Sequence, residues 1–304
     1  MRAAFVDTLS EIAANDDRVV LLTGDLGFHV LEPFVQRYPK RFFNMGVAEA
    51  NMMGVAAGLA SRGLIPYCYS IATFASMRGY EQLRDGAALH RLPVRVVGVG
   101  AGLGYGSLGV THHAIEDVAI FRVMAGMGIV APADSRQVAS AVRLIHDQPG
   151  PFYLRLAKDA PELDELSPEI TWDSIEVIGD GPVAVVTYGA LVGSALRAAK
   201  MLRATGIYIK VVVVPILSPL SQLALLEAIE KCDLIVTAED HQRNGGIGSI
   251  VAELIAEAAL GVRLLRLGYG GLYYPEVGGE KYLHNKIGID SEGIVSAVVE
   301  MFGK

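Results

Sequence analysis

Two cysteines in 304 residues, Cys68 and Cys232, leave no room for a disulfide framework or a cysteine-based metal centre. Far apart in the chain, they are expected to be small core residues in a reducing compartment. No run of about 18 apolar residues occurs, which removes a membrane-spanning helix from the candidates. The first residues, Met1-Arg2-Ala3-Ala4-Phe5, open straight into a helical pattern without the apolar stretch of a signal peptide, so a soluble cytoplasmic protein is expected. Basic blocks are lacking as well: 26 Lys and Arg against 33 Asp and Glu give a net charge of −7, and nucleic acid is not expected as a main partner. Asparagine is scarce, confined to Asn15, Asn44, Asn51, Asn244 and Asn285.

What the chain has in abundance is apolar residues, 52%, and 34 glycines, the composition of large cores joined by tight β-to-α turns. Its length exceeds the usual range of one domain. Short apolar runs suited to buried strands recur at Arg18 to Thr23, at the stretch ending in Phe43, and at Leu64 to Tyr69, Val94 to Val99, Ile129 to Ala131 and Pro151 to Arg155. Helical spacing marks 3 to 14, Glu49 to about Ser61, the segment starting at Thr73 through Gln82, and the stretch from Asp134, with Gln137 as its capping partner, to about His146. From Lys158 to Glu176 the texture becomes polar and proline-punctuated. A second β-α series follows, with strands at Val183 to Thr187, Ile207 to Val214, Leu234 to Ala238 and Val262 to Leu267. Its helices are expected at about 190 to 204, at Ser218 to Ile229 with Ser218 as cap and Pro219 in the first turn, at 247 to 259 and at 291 to 302. Strands alternating with helices imply parallel sheets covered on both faces. The expected fold is therefore α/β, two layered domains, each a mostly parallel sheet with helices on both sides. Residues 1–157 form the first, 158–181 the linker and 182–304 the second.

The stretch Phe42-Phe43-Asn44-Met45-Gly46-Val47-Ala48-Glu49-Ala50-Asn51-Met52-Met53-Gly54 is read as a core strand, a glycine turn and a helix with Glu49 in its first turn. Among small and apolar neighbours, a carboxylate is costly to bury unless its proton is shared. The plain alternative is helix-start chemistry, since the positive end of the helix dipole favours an acid by about 0.3–1 kcal/mol. Gly54 and Gly58 leave a flat helix face, suited to core packing or to a subunit interface. Downstream, Gly100 to Gly109 is too rich in glycine for regular structure and is expected to be a loop that brings backbone close to a ligand. It leads into Val110-Thr111-His112-His113-Ala114-Ile115-Glu116-Asp117. Adjacent histidines point to different faces and do not chelate one ion readily, so a catalytic or substrate-binding histidine is the better reading.

The run Gly46-Val47-Ala48-Glu49-Ala50-Asn51-Met52 resembles the activating-glutamate segment of thiamine diphosphate enzymes of the transketolase group, and the likeness extends over essentially the whole chain. The first half is similar to the pyrimidine-binding domain. The second, including Glu239-Asp240-His241 and Gly245-Gly246-Ile247-Gly248-Ser249, is similar to the C-terminal domain, with a segment shared with deoxyxylulose phosphate synthases. The resemblance implies that Glu49 hydrogen-bonds the cofactor's aminopyrimidine and drives it to the imino tautomer. Phe74 and Tyr80 would pack on or near that ring, and Asp25 would be an active-site loop aspartate. His112 would contact the reacting end of the substrate and Arg155 its distal phosphate, with His29 counted on the substrate side.

Gly179-Asp180-Gly181 begins like the family's magnesium and diphosphate motif, but no asparagine stands about 25 to 30 residues on, and it is read as a turn. The diphosphate domain is absent. The chain thus resembles the smaller subunit of a split transketolase, with Mg2+ and diphosphate held mainly by an N-terminal diphosphate-binding partner around a homodimeric core, α2β2 overall. Three departures bear on substrate. Leu108 stands where an aspartate reads the sugar, the phosphate histidine near Gly100 is missing, and Met77 replaces an aromatic while Arg78 and Tyr80 follow the deoxyxylulose phosphate synthase pattern. The expected activity is transfer of a two-carbon ketol unit from a ketose, as its phosphate, to an aldehyde. The alternatives are the β subunit of a thiamine-dependent 2-oxoacid dehydrogenase, a deoxyxylulose-phosphate-synthase-like enzyme, and a non-catalytic regulatory subunit.

Overall fold

Alternation along the first strand sets the layering. In β1 (Val19–Thr23), Val20 and Leu22 point into one apolar cluster and Val19 and Leu21 into another, so the strand is buried on both faces. The computed structural model describes residues 1–273 and 275–302. Around β1 it assembles β2 (Phe42–Asn44), β3 (Ile65–Ile71), β4 (Arg95–Val99), β5 (Gly128–Val130) and β6 (Phe152–Leu156). The second half contributes β7 (Glu176–Ile178), β8 (Val183–Thr187), β9 (Ile209–Val213), β10 (Ile216–Ser218), β11 (Leu234–Gln242) and β12 (Arg263–Tyr269). The first sheet runs β10-β5-β6-β4-β3-β1-β2 and the second β12-β11-β8-β9-β7. All pairings are parallel except β10 with β5 and β7 with β9, each at a sheet edge. Two mostly parallel α/β sheets are thus present, as the periodicity implies.

Helices Arg2–Asn15 and Ser135–His146 cover one face of the first sheet through Phe5, Leu9, Val138 and Val142. Helix Glu49–Ser61 covers the other with Met52, Met53 and Ala56. That second cluster continues through Phe121 to Ile247 and Val251, so one apolar core crosses from the first domain into the second. Cys68 and Cys232 are buried in it as free thiols.

Four local expectations change. The stretch ending in Phe43 is no core strand: β2 has β1 as its one neighbour at the sheet's edge, and Phe43 is 44% exposed. The helix expected from Thr73 to Gln82 is broken at Gly79 into Ala72–Met77 and Tyr80–Gln82, followed by a wide helical turn Leu83–Ala88. A Cβ on Gly79 would lie 2.5 Å from Met53 Cγ, so glycine lets this segment lie against helix Glu49–Ser61. Ser218 caps no helix: it ends β10, its hydroxyl donates to the Met127 carbonyl, and the helix starts later, at Gln222–Ile229. Part of 158–181 is not linker, since β7 closes the edge of the second sheet.

Candidate functional site

Parallel strands deliver their loops to one edge, where α/β folds place ligand contacts. At that edge β1 ends in Thr23, paired in register with Asn44 of β2 and Tyr69 of β3. Gly46, with φ +69, then turns the chain into helix Glu49–Ser61. Glu49 is 1% exposed. Its Oε1 accepts from the Ser70 hydroxyl at 2.9 Å, at the end of β3, and its Oε2 from Arg78 Nη1 at 2.9 Å. Ser70 and Arg78 thus hold the carboxylate, so helix-start chemistry alone does not account for Glu49. A Cβ on Gly24 would stand 3.1 Å from Oε1 and 3.3 Å from the Ser70 hydroxyl, so glycine lets the backbone after β1 pack against this pair.

From the carboxylate a line of contacts runs outward. The Arg78 guanidinium lies 3.8 Å from the Phe74 ring centroid, a cation–π contact, and its side chain is 43% exposed. Phe74 meets His112 edge to face at 5.1 Å, and His112 Nδ1 is 3.0 Å from the Thr111 hydroxyl. Asp25, exposed and with φ +60, accepts from Asn44 Nδ2 at 2.9 Å, while Asn44 Oδ1 accepts from the Gly46 amide. Glu49, Phe74 and His112 are therefore brought together, with Asp25 at the same strand edge. Ser70, Asn44 and Arg78, whose roles sequence reasoning missed, support them; Asn44 lay within the segment singled out, but its partners are 19 residues and more away or on the backbone.

Other expected site residues lie elsewhere. Tyr80 stacks on Phe121 and packs into the main core. His29, exposed with φ +62, lines a cavity of about 280 Å3 with Arg2, Asp7 and Asp159. Arg155 is buried and engaged within the chain: at 6% exposure its Nε and Nη2 donate to both oxygens of Asp117 and to the Ala114 and Asp240 carbonyls. It ties the first domain to β11.

Glu239, Asp240 and His241 belong to the same junction. Asp240 Oδ2 accepts from the Leu103 amide of the glycine-rich loop at 2.9 Å. His241 Nε2 accepts from the Ala119 amide and Nδ1 donates to the Gln242 carbonyl. Glu239 accepts from the Ile247 and Gly248 amides at the start of helix Ile247–Glu257. Burial nevertheless pushes the Glu239 carboxyl up to about 8. For Asp240 burial also acts upward, but the neighbouring His284 and the Leu103 amide hold it below the usual carboxylate range. Burial lowers His241, which stays neutral.

The segments that carry the Glu49 line also expose apolar side chains: Phe43, Val47, Met77, Leu108 and Val110 are between 40% and 72% exposed. A polar line at the carboxyl ends of parallel strands, bordered by exposed apolar side chains, is the arrangement of an α/β enzyme site. Comparison with known proteins gives the family. Residues 1–162 match the model of the transketolase pyrimidine binding domain and residues 176–294 that of the transketolase C-terminal domain. The chain belongs to the transketolase family. It is 38% identical over 304 residues to the 6-deoxy-6-sulfo-D-fructose transketolase subunit of Clostridium sp. (strain MSTE9), covering 99% of this chain and 94% of that one. A putative transketolase C-terminal section from Methanocaldococcus jannaschii is 35% identical over 311 residues, covering 100% and 96%. A solved structure described as a split gene transketolase, inactive beta4 tetramer, superposes with a TM-score of 0.86 at 34% identity, covering 98% of this chain and 97% of that one.

The family implies thiamine diphosphate, and the residues fit one end of it. A buried carboxylate with the half-buried Phe74 ring near it suits a flat ring with a hydrogen-bonding edge. Among the described residues two clusters offer three metal-ligating groups, Asp16–His146–Asp147 and Asp240–Glu280–His284, and neither includes a residue of the Glu49 line. Gly179-Asp180-Gly181 is the turn between β7 and β8, where a Cβ on Gly181 would strike the Tyr208 carbonyl at 2.2 Å.

Proposed function

We propose that this chain is the small subunit of a thiamine diphosphate-dependent transketolase, which moves a two-carbon ketol unit from a ketose to an aldehyde with a partner subunit. The observation that carries the reading is Glu49, 1% exposed, held by Ser70 and Arg78 at the carboxyl ends of the parallel strands. When bound, the cofactor supplies a nucleophilic thiazolium carbon that takes up the ketol fragment. Glu49 holds the proton at the pyrimidine ring nitrogen, in a setting where water is excluded and a charge-assisted hydrogen bond is strong. Ser70 holds Oε1 while Arg78 holds Oε2 and balances the charge, so the two would fix the carboxylate that a bound ring meets. Phe74 supports the ring, and Asp25 stands at its margin. His112, at the outer end of the line, is placed to hold or move a proton at the substrate's reacting carbonyl or hydroxyl, with Thr111 setting its orientation.

Leu108, 54% exposed, offers no hydrogen bond to a sugar hydroxyl, and Arg155 is engaged with Asp117, so selection of a phosphorylated sugar rests on other groups. The partner is an N-terminal diphosphate-binding subunit that brings the Mg2+ and diphosphate ligands. It closes over the exposed flank of Phe43, Val47, Met77 and Leu108, around a homodimer of this chain, in an α2β2 assembly working in the cytoplasm. No helix among the described residues is long and apolar enough to cross a membrane.

Coexpression with such a partner tests the function. The assembled enzyme should transfer a two-carbon unit from a ketose to an aldehyde with no loss of carbon dioxide. Turnover of a 2-oxoacid with carbon dioxide release, and none of the ketose, would overturn ketol transfer and place the chain with the 2-oxoacid enzymes.

A further inference from the structure

Behind the glycine-rich loop lies a polar cluster that the proposed reaction does not use. Glu280 and His284 are four apart on helix Glu280–Ile287, so both side chains project from one face. Asp240 of β11 faces them. One oxygen each from Asp240 and Glu280 and one nitrogen of His284 lie within 4.8 Å of one another. Asp240 is 8% exposed and His284 7%. The Asp240 Oδ2 atom is occupied by the Leu103 amide, whereas Oδ1 is buried without a hydrogen-bond partner among the described residues. His284 Nε2 stands 3.0 Å from Oδ2 but makes no aligned hydrogen bond. The Asp240 Oδ1 atom, buried beside this contact without a partner among the described residues, calls for one, because native proteins rarely leave such groups unmet.

We propose that Asp240, Glu280 and His284 form a divalent-cation site suited to Zn2+, with the fourth coordination position open to the adjacent cavity. One imidazole and two carboxylates are the N and O donors such an ion takes, at about 2.0–2.2 Å. Tetrahedral ligands at that distance stand about 3.3–3.6 Å apart, a spacing the three groups reach by small side-chain movements. Glu280, half-buried at the rim with a flexible side chain, supplies that movement. A cavity of about 490 Å3, lined by Glu280 and His284 and bounded by Ser194 and Arg197, gives an entry path and room for a water or an exchangeable ligand. The other cluster makes the contrast. His146 Nδ1 bonds the Tyr67 hydroxyl and Nε2 bonds Asp16, both at 3.0 Å, so that imidazole has no free nitrogen. Because Asp240 also holds the Leu103 amide, a cation here steadies the glycine-rich loop that leads to His112.

The test uses the full chain freed of metal by a chelator and titrated with Zn2+ by calorimetry, with metal content measured after dialysis. One Zn2+ per chain is expected, with binding weakened at least tenfold by Glu280→Gln and by His284→Gln and unchanged by His146→Gln. Glu280→Gln alters a rim residue and keeps the test valid if His284→Gln fails to fold. Substitution with Co2+ should give the intense visible absorption of a four-coordinate ion, and Zn2+ should slow hydrogen exchange at the Leu103 amide. A stoichiometry well below one, binding indifferent to Glu280→Gln, or binding lost in His146→Gln would each overturn the site.

Discussion

At the level of single side chains, Glu49 and Arg155 make opposite predictions, although both are buried charges expected in the site. Glu49→Gln keeps the shape and one hydrogen bond to Ser70 but removes the exchangeable proton. In the assembled enzyme, exchange at the cofactor's thiazolium carbon and turnover should both fall by at least about 10²–10⁴, the contribution of a positioned acid or base, while the unfolding temperature stays near that of the wild type. Exchange at the wild-type rate would remove Glu49 from the chemistry. Arg155→Ala should act on stability instead. It leaves Asp117, which is 0% exposed, without its cation, a loss of about 3–5 kcal/mol in urea unfolding. The double variant Asp117→Asn with Arg155→Met should recover much of that loss. A KM change confined to phosphorylated substrates, with stability unchanged, would restore the phosphate role to Arg155. The two residues also differ in how they can be read. Glu49 sits in a dense local pattern of strand, glycine turn and helix within thirteen residues. Arg155 meets Asp117 across 38 residues of chain, an encounter that the sheet order creates and no local spacing signals.

Among elements, the glycine-rich loop and β11 form the joint between the domains, and two predictions belong to it. Gly102 has φ +61, and a Cβ there would lie 1.8 Å from Asp240 Oδ2. Gly102→Ala should therefore cost more than the about 1–2 kcal/mol of a left-handed backbone alone, read by urea unfolding, because the contact of Asp240 with Leu103 breaks as well. Glu239 gives the joint a pH dependence. Its carboxyl is raised from 4.5 to about 8, so between those values the folded state keeps a proton that the unfolded chain has released. Its contribution to stability is complete below about 4.5 and is lost as pH rises through about 8. The difference in unfolding free energy between wild type and Glu239→Gln should shrink over that interval, and a flat difference would contradict the assignment. The parallel strands buried on both faces were legible because they form continuous apolar runs, as in β1 and β8. The antiparallel edges β7 and β10 were not, since three residues at an edge carry little pattern and β10 joins the sheet of the other domain. The Glu239-Asp240-His241 run was noticed as a motif. Its work as a clasp depends on amides of Leu103 and Ala119, which carry no side-chain signature.

For the whole molecule, the distribution of the cofactor's contacts decides what one chain can do by itself. In the proposed function Glu49, Phe74 and Asp25 address the ring end, while the described residues place no metal-ligating cluster of three groups on that line. The exposed flank of Phe43, Val47, Met77 and Leu108 has the character of a surface awaiting cover, since exposed apolar side chains gathered around a polar site mark an interaction face. Helix Glu49–Ser61 adds a second open face, where Cβ atoms built on Gly54 and Gly58 meet nothing within 4 Å, suited to close approach of a second copy. The lone chain should therefore form homo-oligomers in light scattering, yet show no binding of thiamine diphosphate and Mg2+ at micromolar concentration by calorimetry, and no turnover. Adding the diphosphate-binding partner should bring cofactor binding and activity back together, in a particle with the mass of two copies of each chain, as two-fold symmetry favours. Phe43→Glu and Val47→Glu should abolish that recovery while leaving the lone chain's unfolding unchanged, because both side chains are exposed before the partner arrives. Tight Mg2+-dependent cofactor binding by the lone chain would mean that the diphosphate lies within this subunit after all.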